Sequence, residues 1–247
     1  MKNKANWIPT KFILDSKGRL KSSRDFNEVG AGSRLMANMV AEHYDKYLKQ
    51  YCKGGLLDLG CGKVPLYAAY KNYITDNTCV DWSNSFHKNE HLDYECDLTK
   101  NLPFADSTFD TIILSDVLEH IPNPEKLWKE MSRILKKEGA LFLNVPFFYQ
   151  LHEAPYDYYR YTQFMLKRFA EENGFRILVL TATGGSLEVI ADFLSKHFRF
   201  IPLIGNPISL LIQKLVYWFG KTKPGAKLSA KTSEGFPYGY FMVARKI

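Results

Sequence analysis

The chain has 247 residues, 46% hydrophobic and 24% charged, an ordinary globular composition long enough for one sizeable α/β domain with a full core. Two domains would each be small, and no internal repeat or low-complexity tract divides the sequence. The net charge of +7 sits at the ends. Residues 201–247 carry Lys214, Lys221, Lys223, Lys227, Lys231, Arg245 and Lys246 against Glu234 alone, so an anionic partner would meet the termini and not the middle. Cys52, Cys61, Cys79 and Cys96 fit no metal-ligand spacing and read as buried thiols in a reducing compartment. The opening M-K-N-K-A-N-W-I-P-T-K lacks the apolar run of a secretory leader, and a cytoplasmic protein is expected.

Residues 1–33 are polar and irregular, ending at a candidate N-cap, Ser33. Leu35, Met36, Met39, Val40, His43, Tyr44, Tyr47, Leu48 and Tyr51 then recur at helical spacing up to Gly54 and Gly55. Short apolar runs alternate with helical patterns after that. Strands are predicted over 55–59, 78–81, a weaker stretch before Asp97, 109–115, 140–145, 175–181 and 240–245. Helices are predicted over 65–73, opened by Pro65, and 124–137, opened by Pro124. Further helices are expected from Thr162 to Asn173, closed by Gly174, and over 186–198 and 206–219. The Lys/Gly/Ser-rich stretch 220–236 is the one place that resembles a boundary. This rhythm predicts a mostly parallel sheet covered on both faces, which binds ligands at the carboxyl ends of its strands.

The first predicted strand ends in L-L-D-L-G-C-G-K-V-P, residues 56–65. Gly60 and Gly62 let the backbone turn tightly and approach a ligand, and a helix start at Pro65 would aim at an anionic group. Asp81 closes the next strand, where a carboxylate can accept hydrogen bonds from both ribose hydroxyls. A carboxylate at Asp58, so near the loop, suits a ligand with a cationic centre better than a pyrophosphate. At this point D-L-G-C-G resembles the glycine motif of class I S-adenosylmethionine-dependent methyltransferases. E-C-D-L around Asp97 and Leu98, N-L-P-F-A-D-S-T-F-D leading into I-I-L-S-D-V-L-E-H, L-K-K-E-G-A-L-F-L-N-V-P and Y-G-Y-F-M-V-A-R-K follow in the family's order, over about 54–181 and 238–246. The resemblance implies a Rossmann-like seven-stranded, mostly parallel sheet with helices on both faces and the last strand antiparallel. It implies S-adenosylmethionine as cofactor, held by Asp58, Gly60, Cys61, Gly62, Asp81, Trp82, Asp97, Leu98, Ser115, Asp116 and His120. Asp97 would hold the adenine amino group, and Ser115 and Asp116 would border the methionine end. Lys63-Val64-Pro65 departs from the third glycine of many relatives.

The acceptor is narrowed by what is missing. The chain has S-D-V-L at 115–118 in place of the N/D-P-P-Y/F loop of adenine and glutamine N-methylating relatives, and no cysteine placed for cytosine C5 chemistry. A catechol-type metal site cannot be assembled from the sequence, and no metal is expected. What remains is H-E-A-P-Y-D-Y-Y-R-Y-T, residues 152–162, delivered by the fifth strand to the cofactor's reactive end. His152 is the candidate base. Glu153, Tyr156, Asp157, Tyr158, Arg160 and Tyr161 are candidate acceptor contacts, with Asp157 and Arg160 alternatively forming a structural pair and the tyrosines core. The segment resembles a stretch of methyltransferases associated with bacterial cell-surface polysaccharide synthesis, which implies a sugar or glycan-like, even lipid-linked, hydroxyl acceptor.

Residues 198–219 are the most apolar stretch, broken by Pro202, Gly205 and Pro207 and short of the ~20 residues a bilayer crossing needs. A lid helix or dimer interface is one reading. The other is peripheral membrane contact through 198–231, with Tyr217, Trp218 and the following lysines on anionic lipid. The organisation expected is one domain over 1–247: an N-terminal segment and helix (1–53), a cofactor-binding core (54–181), a helical insertion (182–236) and the last strand (237–247). Two alternatives stay open: an RNA methyltransferase, though no RNA-binding module is recognisable and nucleic acid is not the expected partner, and a non-catalytic lipid-binding protein of the same fold.

Overall fold

The computed structural model describes residues 1–83 and 90–247. An antiparallel hairpin, β1 (Phe12–Leu14) and β2 (Leu20–Ser22), precedes helix α1 (Arg34–Tyr51). Then come β3 (Gly54–Leu59), the one-turn helix α2 (Tyr67–Tyr70), β4 (Ile74–Asp81), β5 (Tyr94–Glu95) and β6 (Phe109–Ser115). Helix α3 (Pro124–Ile134), β7 (Leu135–Pro146), α4 (Gln163–Glu172) and β8 (Phe175–Thr183) follow. Helices α5 (Ser186–Phe198), α6 (Gly205–Gly220) and α7 (Lys223–Thr232) lead to β9 (Gly239–Lys246).

Seven strands pair in the order β5-β4-β3-β6-β7-β9-β8. The pairs from β5 through β7 are parallel, and β9 runs antiparallel between β7 and β8. The continuous apolar runs have a simple cause, since both sheet faces are buried. Along β6, Ile112 and Leu114 join one core with Trp128 of α3 and Phe169 of α4. Ile113 between them faces the other way, into a core with Tyr44 and Leu48 of α1. Along β7, Leu141 and Leu143 alternate with Phe142 in the same manner.

Several predicted bounds move. The helix expected over 65–73 shrinks to Tyr67–Tyr70, so no helix dipole of useful length points at the glycine loop. The helix expected to reach 137 ends at Ile134, because Leu135 already pairs beside Phe109 in the sheet. The supposed boundary at 220–236 contains α7, whose first turn is capped where the Thr222 hydroxyl accepts from the Gly225 N–H at 3.2 Å. Thr162 caps α4 as expected, its hydroxyl accepting from the Met165 N–H.

Candidate active site

The loops after β3, β4, β5, β6 and β7 gather at the carboxyl edge of the sheet. Gly60 turns the chain at φ +68°, and a Cβ there would meet Val117 Cγ2 at 2.4 Å, so both backbone and space demand glycine. The Gly60 and Cys61 N–H groups both donate to the Val80 carbonyl, at 2.8 and 3.0 Å. Asp81 accepts from the Gly62 N–H at 2.9 Å and from the Trp82 N–H at 2.8 Å, which ties the ends of β3 and β4 together. Val64, in the departing Lys63-Val64-Pro65, takes φ +51°. Two contacts from the N-terminal segment brace it: the Trp7 indole donates to the Val64 carbonyl at 3.1 Å, and Lys63 pairs with Glu28 at 2.9 Å.

A cavity of about 400 Å³ opens beside this loop. Asp58, Gly60, Cys61, Gly62, Ser115, Asp116, His152 and Glu153 line it, with Thr10, Lys11 and Phe12 at the start of β1 adding to the lining. Burial pushes the Asp58 carboxyl up to about 7, with the Tyr70 hydroxyl, 3.2 Å away, opposing and the Asp81 charge adding. Asp116 sits at φ +56° and accepts from Lys11 Nζ at 3.0 Å and Asn144 Nδ2 at 2.6 Å. Asp81, Trp82, Asp97, Leu98 and His120 lie outside this cavity's lining. Asp97 accepts from the Thr99 N–H at 2.9 Å and its hydroxyl at 2.7 Å, and these bonds hold its carboxyl below the usual range. Leu98 is buried.

At the other end, Glu119 is fully buried at 0% exposure and its carboxylate reaches no hydrogen-bond partner among the described residues. His152 Nε2 stands 3.7 Å and His120 Nε2 3.8 Å from Glu119 Oε1. His152 Nδ1 lies 3.1 Å from Asp157 Oδ2, and Arg160 clamps the same carboxylate with both terminal nitrogens. Burial raises the Glu119 carboxyl, while burial of His152 is outweighed by Glu119, Asp157 and Glu153, which raise its imidazole. Arg160 first, and the His152 N–H, hold Asp157 down to about 2 despite its burial.

The segment 152–162 is thus divided. His152 and Glu153 face the cavity beside the glycine loop. Asp157, Tyr158 and Arg160 line a second cavity of about 520 Å³ against α5. Arg160 also donates to the Tyr159 and Gln150 carbonyls, so both its terminal nitrogens are engaged within the loop. Tyr161 is buried, its hydroxyl donating to the Leu118 carbonyl at 3.2 Å. Tyr156 meets Trp82 edge-on at 5.0 Å. Two contributions escape the sequence reading. Thr10, Lys11 and Phe12 at the start of β1 join the cavity's lining, and the triad Glu119, His120 and His152 brings its ligand atoms within 4.8 Å of one another, where no metal-ligating set was expected.

Residues 57–143 match the family model for a methyltransferase domain. The chain carries a class I S-adenosylmethionine-dependent methyltransferase domain. A ubiquinone biosynthesis O-methyltransferase of Coxiella burnetii is 28% identical over 165 residues, 55% of this chain and 70% of that protein. A thiol S-methyltransferase of Rattus norvegicus is 34% identical over 99 residues, 35% of this chain and 40% of its own. In fold, the methyltransferase resembles an S-adenosylmethionine-dependent methyltransferase from Archaeoglobus fulgidus, with a TM-score of 0.56 at 18% identity over 90% of this chain and 97% of that one. S-adenosylmethionine is its cofactor.

Proposed function

We propose that this enzyme transfers the cofactor's methyl group to a hydroxyl oxygen of a sugar or similar polyol. The observation that carries this reading is the character of the acceptor wall. Asp116, Glu119, Glu153 and Asn144 offer oxygens, Lys11 is paired with Asp116, and a ligand that brings many donors suits such a wall. A thiol acceptor brings a single weak donor and ionises near neutral pH unaided. A hydroxyl needs its proton removed as the carbon–oxygen bond forms, and Glu119, His152 and Glu153 together are the machinery at hand, with Asp157 fixing the imidazole. On the cofactor side, Asp58 faces the cationic end, Asp81 the ribose and Asp97 the adenine. Methyl transfer is an in-line displacement, so the chain's chief work is holding sulfur, methyl and oxygen in one line. The test is incubation with methyl-labelled S-adenosylmethionine and a panel of sugars, phenols and thiols. The reading expects an ether product from a polyol and fails if label appears only on sulfur.

A specific feature of α6 favours an acceptor presented at a bilayer. This helix is inside out. Ser209 and Gln213 are buried, with Gln213 Oε1 accepting from the Leu35 N–H at 2.7 Å, while Leu211, Leu215 and Trp218 face outward, Trp218 at 68% exposure. Leu203, at 98%, stands just before it. Lys214 and Lys221 flank the stripe. Among the described residues no helix is long and apolar enough to cross a membrane. A helix lying in the plane of an anionic lipid surface accounts for this inversion, and a lipid-linked acceptor would then meet the cavity there.

A further inference from the structure

We propose that Glu119, His120 and His152 form a site for one divalent first-row metal ion, zinc by the ligand set, at the edge of the cavity that Glu119 and His152 line. The inference rests on the hydroxyl-acceptor reading and says how the acceptor oxygen is activated. Its first support is the tautomers. His120 Nδ1 lies 3.0 Å from the Tyr156 carbonyl oxygen, which can only accept, so the proton sits on Nδ1 and the lone pair on Nε2. His152 Nδ1 lies on the Asp157 carboxylate, leaving its Nε2 lone pair toward Glu119. A carboxylate or carbonyl behind each ring nitrogen is the outer shell that metal-bound histidines carry.

The second support is spacing. Two ligands about 2.1 Å from a tetrahedral zinc stand about 3.4 Å apart. The 3.7 and 3.8 Å separations from Glu119 Oε1 to the two Nε2 atoms are close to that, and too long for hydrogen bonds. The third is burial without a hydrogen bond. Both Glu119 oxygens and His120 Nε2 lack hydrogen-bond partners among the described residues, a costly state for a carboxylate and one an ion would relieve.

The three protein ligands leave a position for the acceptor oxygen. The ion lowers the hydroxyl's pKa, as it does for bound water. The hydroxyl proton passes to Glu153, whose Oε2 is 3.9 Å from His120 Nε2 and whose side chain reaches solvent. An oxygen lone pair then forms the bond to the methyl carbon, and the carbon–sulfur pair returns to sulfur, giving S-adenosylhomocysteine. In this arrangement His152 is a ligand and Glu153 takes the proton.

The experiment is calorimetric titration of tag-free, chelator-stripped full chain with Zn²⁺, repeated with Co²⁺ for its visible spectrum. One equivalent is expected to bind with the tetrahedral cobalt bands. Glu119→Gln and His152→Gln should each weaken binding about 100-fold, and Asp157→Asn about 10-fold, while affinity for S-adenosylhomocysteine stays intact as proof of folding. Absence of stoichiometric binding, or unchanged binding in His152→Gln, whose partly exposed ring makes it the tolerant variant, overturns the site. Polyol methylation that persists after chelation also overturns it and leaves the hydroxyl reading standing. Metal binding with label found only on sulfur would do the reverse.

Discussion

Asp58 offers a prediction whose size can be worked from its surroundings. The carboxyl is buried beneath the glycine loop, and burial raises it from 3.8 to about 7. Unfolded, the group ionises near 3.8; folded, it resists ionisation until about 7. The fold therefore binds the extra proton across that window, and stability falls as pH rises through it, by an amount on the order of 4 kcal/mol. Asp58→Asn keeps the shape and removes the ionisation. Without cofactor, its stability relative to wild type should climb steadily from pH 4 to 7 and then level off, read by urea unfolding at several pH values. Cofactor affinity should move the other way. The cationic end of S-adenosylmethionine favours the ionised carboxylate, so wild-type binding should tighten up to about tenfold per pH unit below 7, while Asp58→Asn binds weakly with a flatter profile. An equal stability difference at pH 4.5 and pH 8 would refute the reasoning, as would identical pH profiles of binding.

Other outcomes follow from the same geometry. Asp81→Ala, which loses the carboxylate tied to the Gly62 N–H, should abolish S-adenosylmethionine binding by calorimetry; unchanged affinity would remove Asp81 from the cofactor site. Gly60→Ala places a Cβ 2.4 Å from Val117 Cγ2 at a left-handed residue, and thermal unfolding should show a loss of about 2–4 kcal/mol together with weakened cofactor binding. Changing Leu211, Leu215 and Trp218 together to Gln should end sedimentation with phosphatidylglycerol vesicles and leave S-adenosylhomocysteine affinity as it was; retained sedimentation would remove α6 as the docking face.

The sheet was legible because burial on both faces leaves continuous apolar runs such as Phe109–Ser115, and the helices because Ser33, Pro124 and Thr162 mark their starts. Strand pairing made the errors. Leu135 looks like a helix residue until its partner Phe109 is known, and Tyr67–Tyr70 is cut short by a chain that must return as β4. Helix α7 carried Thr222 as cap and Pro224 in its first turn, signals masked by a lysine- and glycine-rich composition that resembles a linker. The glycine turn after β3 could be read from local spacing, and Gly60 takes the positive φ it needs; the role expected of Asp97 rested on a family resemblance. The grouping of Glu119, His120 and His152 could not be read so, since it joins the loops after β6 and β7 and depends on which way each ring turns. Composition likewise could not separate the tyrosines: Tyr161 is buried against Leu118, whereas Tyr158 stands open at the second cavity.

The most direct test of the account is single-turnover methyl transfer by wild type and His152→Gln, with the labelled atom of a polyol product identified by mass spectrometry. The account predicts an ether oxygen carrying the label, turnover lost in His152→Gln, and unchanged affinity for S-adenosylhomocysteine. Full turnover in that variant, or label on sulfur alone, would contradict it.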